Sequence, residues 1–240
     1  MKSLFLALTL TSAVAFAATT ETKDFDAKTI REVDVENTTG SIKITGTDDA
    51  RATVIAEKIK FDDKCRLEIL QKGDKLSVDV DRKGFGGNSK CEVNLTLTVP
   101  RNVEVNVENG SGNFELSGTH GEVDYSLGSG NVNIDAQVIK LEGKSGSGSS
   151  TVTGLTGEAE VKTGSGNTNL TYSSVPPKGE LSIKSGSGNT TVLMPAEAKI
   201  KASLVSGSGS ILNEIGDHSD SRFKVSLRTG SGSISIKKAQ

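Results

Sequence analysis

The stretch EVDYSLGSGNVNIDAQVIKLEGKSGSGSSTV, residues 122–152, decides the fold. It carries one phrase twice, Gly128-Ser129-Gly130 and Gly146-Ser147-Gly148, with apolar residues alternating on both sides. Working outward, the phrase returns at Gly110, Gly164, Gly186, Gly207 and Gly230; the first four copies start 18 residues apart, and the later gaps are 22, 21 and 23. A phrase that recurs at such a period marks a stacked repeat.

Aligning the copies on their first glycine sets the flanks in register. Five residues before it stand Val105, Val123, Leu141, Ala159, Leu181, Ala202 and Val225. Six after it stand Leu116, Ile134, Val152, Leu170, Val192, Asn213 and Ile236. Period-two alternation on either side of a glycine corner reads as strand, tight bend, strand. Glycine adopts positive φ without a Cβ penalty, and the Asn that follows in four copies is the next most tolerant residue. One such coil cannot bury its own apolar side, so the coils must stack, each covering the next. The expected fold is an all-β, parallel β-solenoid of short coils. A Ser/Asn ladder is expected along its corners, including Ser111, Asn113, Ser129, Asn131, Ser165, Asn167, Ser187 and Asn189.

The rest of the chain is read against that register. Residues 1–17 form a secretory signal, with Lys2 in the charged region, Leu4 to Leu10 as the apolar core and Ala15-Phe16-Ala17 as the cleavage site. That run is too short for a stable membrane span, and no transmembrane anchor is expected elsewhere. Residues 18–240 then form one domain, with irregular β-rich coils or a cap over 18–100 and the regular stack over 101–240. Residues 19–28 read as a polar lead-in. Val33, Val35, Ile42 and Ile44 around Gly40 read as an early degenerate coil, and strands are expected over 52–60, 66–70, 75–80 and 91–99. Asp62-Asp63-Lys64 and Gly84 to Asn88 read as turns. Lys237-Lys238 after the last strand is expected to discourage pairing at the exposed end of the stack.

Composition narrows the function. Once Lys2 is removed, 27 basic side chains face 30 acidic ones, which leaves no electrostatic footprint for nucleic acid. The two cysteines, Cys65 and Cys91, each begin an expected strand in an exported chain, and a structural disulfide between them is expected. A catalytic thiol would need a partner, and neither a CxxC nor a suitable histidine accompanies them. His218, beside Asp217, Ser219 and Asp220, has the residue types of a triad. All are neighbours in one polar turn, however, whereas a triad is assembled on a scaffold. The phrase is not a phosphate loop, because strand periodicity rather than a helix follows it. Nor is it the calcium nonapeptide, which needs Asp two residues after its last glycine, where Phe114, Val132, Ser150 and Thr168 stand here. No catalytic residue, metal site or cofactor is expected.

CEVNLTLTVPRNVEVNVENGSGNFEL, EVDYSLGSGNVNI, LSIKSGSGNTTV and VSLRTGSGSISI together resemble the bacterial putative-adhesin domain families, which are similar to auto-transporter adhesin heads. The resemblance runs from about Val33 to the end and is strongest from Cys91 onward. It implies a right-handed parallel β-solenoid in an exported protein, periplasmic, secreted or at the cell surface of a bacterium. The expected function is therefore a non-enzymatic adhesin or binding scaffold whose partner is a glycan, a cell-wall polymer or an envelope protein. The alternatives are a polysaccharide lyase or hydrolase built on a β-helix, and a structural protein that assembles into homo-oligomers.

Overall fold

The computed structural model describes residues 19–83 and 91–239. The expected signal segment 1–17 and the expected turn at Gly84 to Asn88 lie outside the described residues.

Among the described residues eighteen strands follow one another: β1 (Thr19–Asp26), β2 (Glu32–Thr39), β3 (Ile42–Thr47), β4 (Arg51–Lys60), β5 (Cys65–Lys72), β6 (Lys75–Arg82), β7 (Glu92–Pro100), β8 (Glu104–Ser111) and β9 (Phe114–Ser129). Then come β10 (Val132–Ser147), β11 (Ser150–Ser165), β12 (Thr168–Tyr172), β13 (Lys178–Ser187), β14 (Thr190–Met194), β15 (Lys201–Ser208), β16 (Ile211–Asn213), β17 (Arg222–Ser231) and β18 (Ile234–Lys238). The result is all-β and mostly parallel, as the alternation requires.

Each coil has a strand entering the glycine corner and a strand leaving it, so two ranks of strands build up. The entering rank runs β5, β6, β2, β8, the second halves of β9, β10 and β11, then β13, β17 and β15. The leaving rank runs β1, β4, β7, β3, the first halves of β9, β10 and β11, then β12, β14, β18 and β16. Among the described residues, antiparallel pairing occurs only at the first end, in β1–β4, β4–β7 and β5–β6. The ranks face each other across a core of alternate residues such as Val123, Leu141, Val161, Ile183 and Leu227, which meet Ile134, Val152, Leu170 and Val192. Phe114 and Tyr125, one from each rank, lie 6.3 Å apart by ring centroids; Tyr172 and Phe223 lie 5.8 Å apart.

Coil order in space departs from chain order at both ends. The early coil β2–β3 is interior, between β6–β7 on one side and β8–β9 on the other. At the far end β17–β18 inserts between β13–β14 and β15–β16. Hence the open edge of the stack belongs to β15 and β16, contrary to the sequence expectation; Lys237 and Lys238 lie inside β18, paired with Leu193 and Met194 of β14, while β16 covers β18 only over Ile234–Ile236. The reason is visible in the inward residues. The coil β17–β18 offers Phe223, Val225, Leu227, Ile234 and Ile236, all buried, whereas β15–β16 offers Ala202, Leu204, Ser206, Ile211 and Asn213. The coil with the poorer apolar face takes the place that is covered on one side only, and Ile211 there is 47 % exposed. The polar lead-in is also corrected. Thr19–Asp26 forms an edge strand on β4 whose mixed side chains carry no clear alternation, because neither of its faces is buried.

Gly143 stands at an otherwise apolar inward position and is explained by Tyr125. A Cβ on Gly143 would lie 2.4 Å from the Tyr125 ring, whose buried hydroxyl donates to Ser150 Oγ at 3.2 Å. Large and small residues thus alternate between adjacent coils. Gly143→Val is expected to destabilise by about 2–3 kcal/mol through overpacking. Adding Tyr125→Ala should recover part of that loss in urea denaturation, and strict additivity of the two changes would refute the pairing.

Candidate functional site

The corners are the most repetitive part of the molecule. At the second glycine of the phrase φ is strongly positive, for instance +131° at Gly112, +133° at Gly130, +122° at Gly148 and +127° at Gly166. The side-chain oxygens that follow form a ladder up the stack. Asn131 N–H donates to Asn113 Oδ1 at 3.0 Å, Ser149 N–H to Asn131 Oδ1 at 3.0 Å and Asn167 N–H to Ser149 Oγ at 3.3 Å. Asn189 N–H donates to Asn167 Oδ1 at 3.0 Å and Ser233 N–H to Asn189 Oδ1 at 2.9 Å. The asparagines therefore spend an oxygen on holding the next coil. Ser111, Ser129, Ser165 and Ser187 are aligned and exposed, and their carbonyls accept from Gly40, Gly112, Gly148 and Gly166.

Inside the corner a second polar column, missed in the sequence, lies directly before the first glycine of every copy but one, where Leu127 stands. Asn109 Nδ2 donates to Gly40 O at 2.9 Å, Thr229 Oγ1 to Gly188 O at 3.3 Å and Ser206 Oγ to Gly232 O at 2.8 Å. These residues satisfy inward-turned glycine carbonyls, which water would otherwise have to reach. The signal was available: the inward position next to the corner is Asn, Ser or Thr in most copies.

The two outer faces differ in chemistry. On the leaving rank, one row across adjacent strands reads Thr96, Lys43, Glu115, Asn133, Thr151, Asn169, Thr191 and Ser235. A second reads Thr98, Thr45, Ser117, Asp135, Thr153 and Thr171. This face is built chiefly of short hydroxyl and amide groups at strand spacing, about 4.8 Å.

The entering rank is charged. Its row two residues before the corner reads, strand by strand, Glu68, Asp79, Glu36, Glu108, Ser126, Lys144, Lys162, Lys184 and Arg228, and ends in Val205 on the last strand, β15. An open groove of ≈ 580 Å³ runs beside the acidic half, lined by Glu36, Asp79, Asp81, Glu108 and Ser126 together with Arg66, and floored by Gly110 and Gly128. Burial, with Asp34, Asp79 and Glu108 close by, pushes the Glu36 carboxyl above the usual carboxylate range. Burial also raises Asp79, although Arg66 Nη2, 2.6 Å from its carboxylate, pulls the other way. Asp124 in the next row is raised by burial and by Glu142.

A carboxyl whose folded pKa is raised costs nothing while it is protonated in both states. Its penalty on the fold develops as pH climbs from the unfolded pKa through the folded one. Glu36→Gln should therefore raise Tm at pH 7 and leave it nearly unchanged at pH 4. An equal shift at both pH values would contradict this.

Cys65 and Cys91 are joined, with Cα atoms 5.6 Å apart, and the bond ties β5 to the start of β7 at the corner end of the first coil. Asp217 Oδ1 accepts from Ala202 N–H at 2.9 Å, and His218 N–H donates to Ile200 O at 2.8 Å. That polar turn thus anchors the terminal coil. Asp48 Oδ2 accepts from Arg101 Nε at 2.8 Å, and Asp62 Oδ1 from Lys64 N–H at 2.9 Å. Among the described residues no group of three or more His, Cys, Asp or Glu side chains is placed to hold a metal ion, and no helix is long and apolar enough to cross a membrane.

Two facing ranks of mostly parallel strands, hinged at a recurring glycine corner and presenting flat polar faces, define a stacked β-repeat protein. The chain belongs to the toastrack family DUF4097, which matches residues 119–240. Solved structures similar to it share little sequence. A "putative cell adhesion protein" from Clostridium sporogenes is 15% identical, with 92% of this chain and 100% of that one covered and a TM-score of 0.42. A "putative lipid binding protein" from Parabacteroides distasonis is 15% identical over 92% and 97% of the two chains, with a TM-score of 0.42. A "putative adhesin" from Bacteroides fragilis is 16% identical over 92% and 97%, with a TM-score of 0.35. No curated protein matches the sequence.

Proposed function

We propose that this chain is an exported, non-enzymatic β-solenoid of the bacterial cell envelope, wound right-handed, that binds an extended partner along a flat face. The observation that supports this best is the outer face of the leaving rank. Thr151, Thr153, Asn169, Thr171 and Thr191 repeat the same short hydrogen-bonding groups at strand spacing. Such a surface suits a partner with its own repeat, a glycan or cell-wall polymer, better than a small molecule that would need an enclosed pocket. Right-handed winding is the usual hand for parallel strands joined by crossovers. The disulfide fits an oxidising compartment outside the cytoplasm.

The test has two parts. Fractionation should place the chain outside the cytoplasm and protease shaving of intact cells should strip it, whereas recovery of full-length chain in the cytoplasm sinks the export reading. The purified chain should cosediment with insoluble wall polymer, and Thr151→Glu with Thr171→Glu should abolish this without altering the melt. Undiminished cosedimentation of that variant would remove the face from the reading.

A further inference from the structure

The charged row on the entering rank is antisymmetric about Ser126. Moving outward by equal numbers of strands, Glu108 is matched by Lys144, Glu36 by Lys162, Asp79 by Lys184 and Glu68 by Arg228. Four acids stand on one side and four bases on the other, each run on adjacent strands. We infer that the protein forms a two-fold dimer in which this row, laid antiparallel on the same row of a second copy, pairs every acid with a base.

Three observations carry the inference. Like charges on directly neighbouring strands repel and are destabilising. Arg66 relieves Glu68 and Asp79 at the outer end of the acidic run, and Glu160 pairs with Lys162. The charge left for a partner to relieve therefore centres on Glu36 and Glu108 on one side and on Lys144, Lys184 and Arg228 on the other. Glu36 sits within the acidic run, where burial first and then the carboxylates of Asp34, Asp79 and Glu108 hold it in a less ionised state than an isolated glutamate. A polyanion would relieve the basic run and a polycation the acidic one, but a second copy turned end for end relieves both at once. Such a contact is isologous, the same patch on both subunits, as closed two-fold symmetry requires.

Shape limits where the contact lies. The next row inward carries Asp34, Asp124, Glu142 and Glu160 on both halves, so it has no such antisymmetry and would repel its own copy. The contact therefore stays on the corner rim. There the first glycine of each phrase presents no side chain and leaves the groove beside Glu36 and Glu108 open. Lys144 and Lys162 are exposed and unbranched, and their stems fit such a groove while the ammonium groups reach its carboxylates.

The reading is independent of the partner proposed for the other face, and a charge-swap experiment tests it. The natural chain should sediment as a dimer at low salt and dissociate as salt rises. Glu36→Lys with Glu108→Lys, and separately Lys144→Glu with Lys162→Glu, should each weaken self-association by about 100-fold or more, because every central pair becomes like-charged. Circular dichroism should show both variants folded. Mixed one to one they should associate again, since each restores the pairs the other lacks. A natural chain that stays monomeric at low salt and high concentration overturns the dimer. So do variants that still self-associate, or a mixture that stays monomeric.

Discussion

Gly148→Ala should cost about 3–5 kcal/mol, from a backbone conformation that is nearly glycine-only and a clash that cannot relax. Gly148 has φ +122°, and a Cβ there would sit 2.0 Å from Gly130 O and 2.6 Å from its carbonyl carbon. Those atoms are backbone of the preceding coil, so relief would require pushing coils apart. That would stretch the ladder bonds on both sides, among them Gly148 N–H to Ser165 O at 3.0 Å and Gly130 N–H to Ser147 O at 3.0 Å. Gly73 provides the control, with φ +63° and nothing within 4 Å of the place a Cβ would take. Gly73→Ala carries only the left-handed backbone penalty of about 1–2 kcal/mol, and Gly73→Asn should cost less still. Urea denaturation of Gly148→Ala and Gly73→Ala separates the steric part from the conformational part. Equal losses would mean that the coils are not packed through their corners.

The corner was legible in the sequence because its requirement is local. Positive φ and close approach both select glycine, and the flanking alternation gives the inward face directly. Even Gly40, in a phrase that lacks the first glycine, adopts φ +125° and lies against the corner of Gly112 as the register implied. What alternation cannot give is the neighbour of each coil. Period two fixes which residues face inward but says nothing about whether β15 or β17 lies against β13. That choice depends on comparing whole coils, Asn213 and Ser206 against Ile236 and Leu227. The charged row was hidden for the same reason. Glu68, Asp79, Glu36 and Glu108 are neighbours only once β6 is known to lie outside β2, and in chain order they form no run. The Asn ladder was expected as a polar edge, and its hydrogen bonds assign the asparagine oxygens to coil stacking while the serines of the corner face outward.

Removing the disulfide by Cys65→Ala with Cys91→Ala should cost about 3–4 kcal/mol, the chain entropy of closing a loop of this size. The two residues are 26 apart in sequence, and both are buried, so alanine leaves no stranded polar group. The position of the bond explains why the loss should be local at first. In the regular coils a Gly-Ser-Gly corner joins the entering strand to the leaving one, whereas β6 and β7 are connected without that phrase. Among the described residues, strand β5 is paired only with β6; beyond that it is held by buried Ile69, by Leu67 against the core, by Lys23 Nζ to Ile69 O at 3.2 Å, by Gln71 Nε2 to Thr29 Oγ1 at 2.7 Å and by the half-exposed Arg66 ion pairs, which are worth little. Hydrogen exchange on the double variant should therefore show β5 and β6 losing protection while β9, β10 and β11 keep theirs. Reduction of the natural chain should reproduce that pattern. A global loss of protection, or a cost below about 1 kcal/mol, would show that the first coil is held by its packing alone.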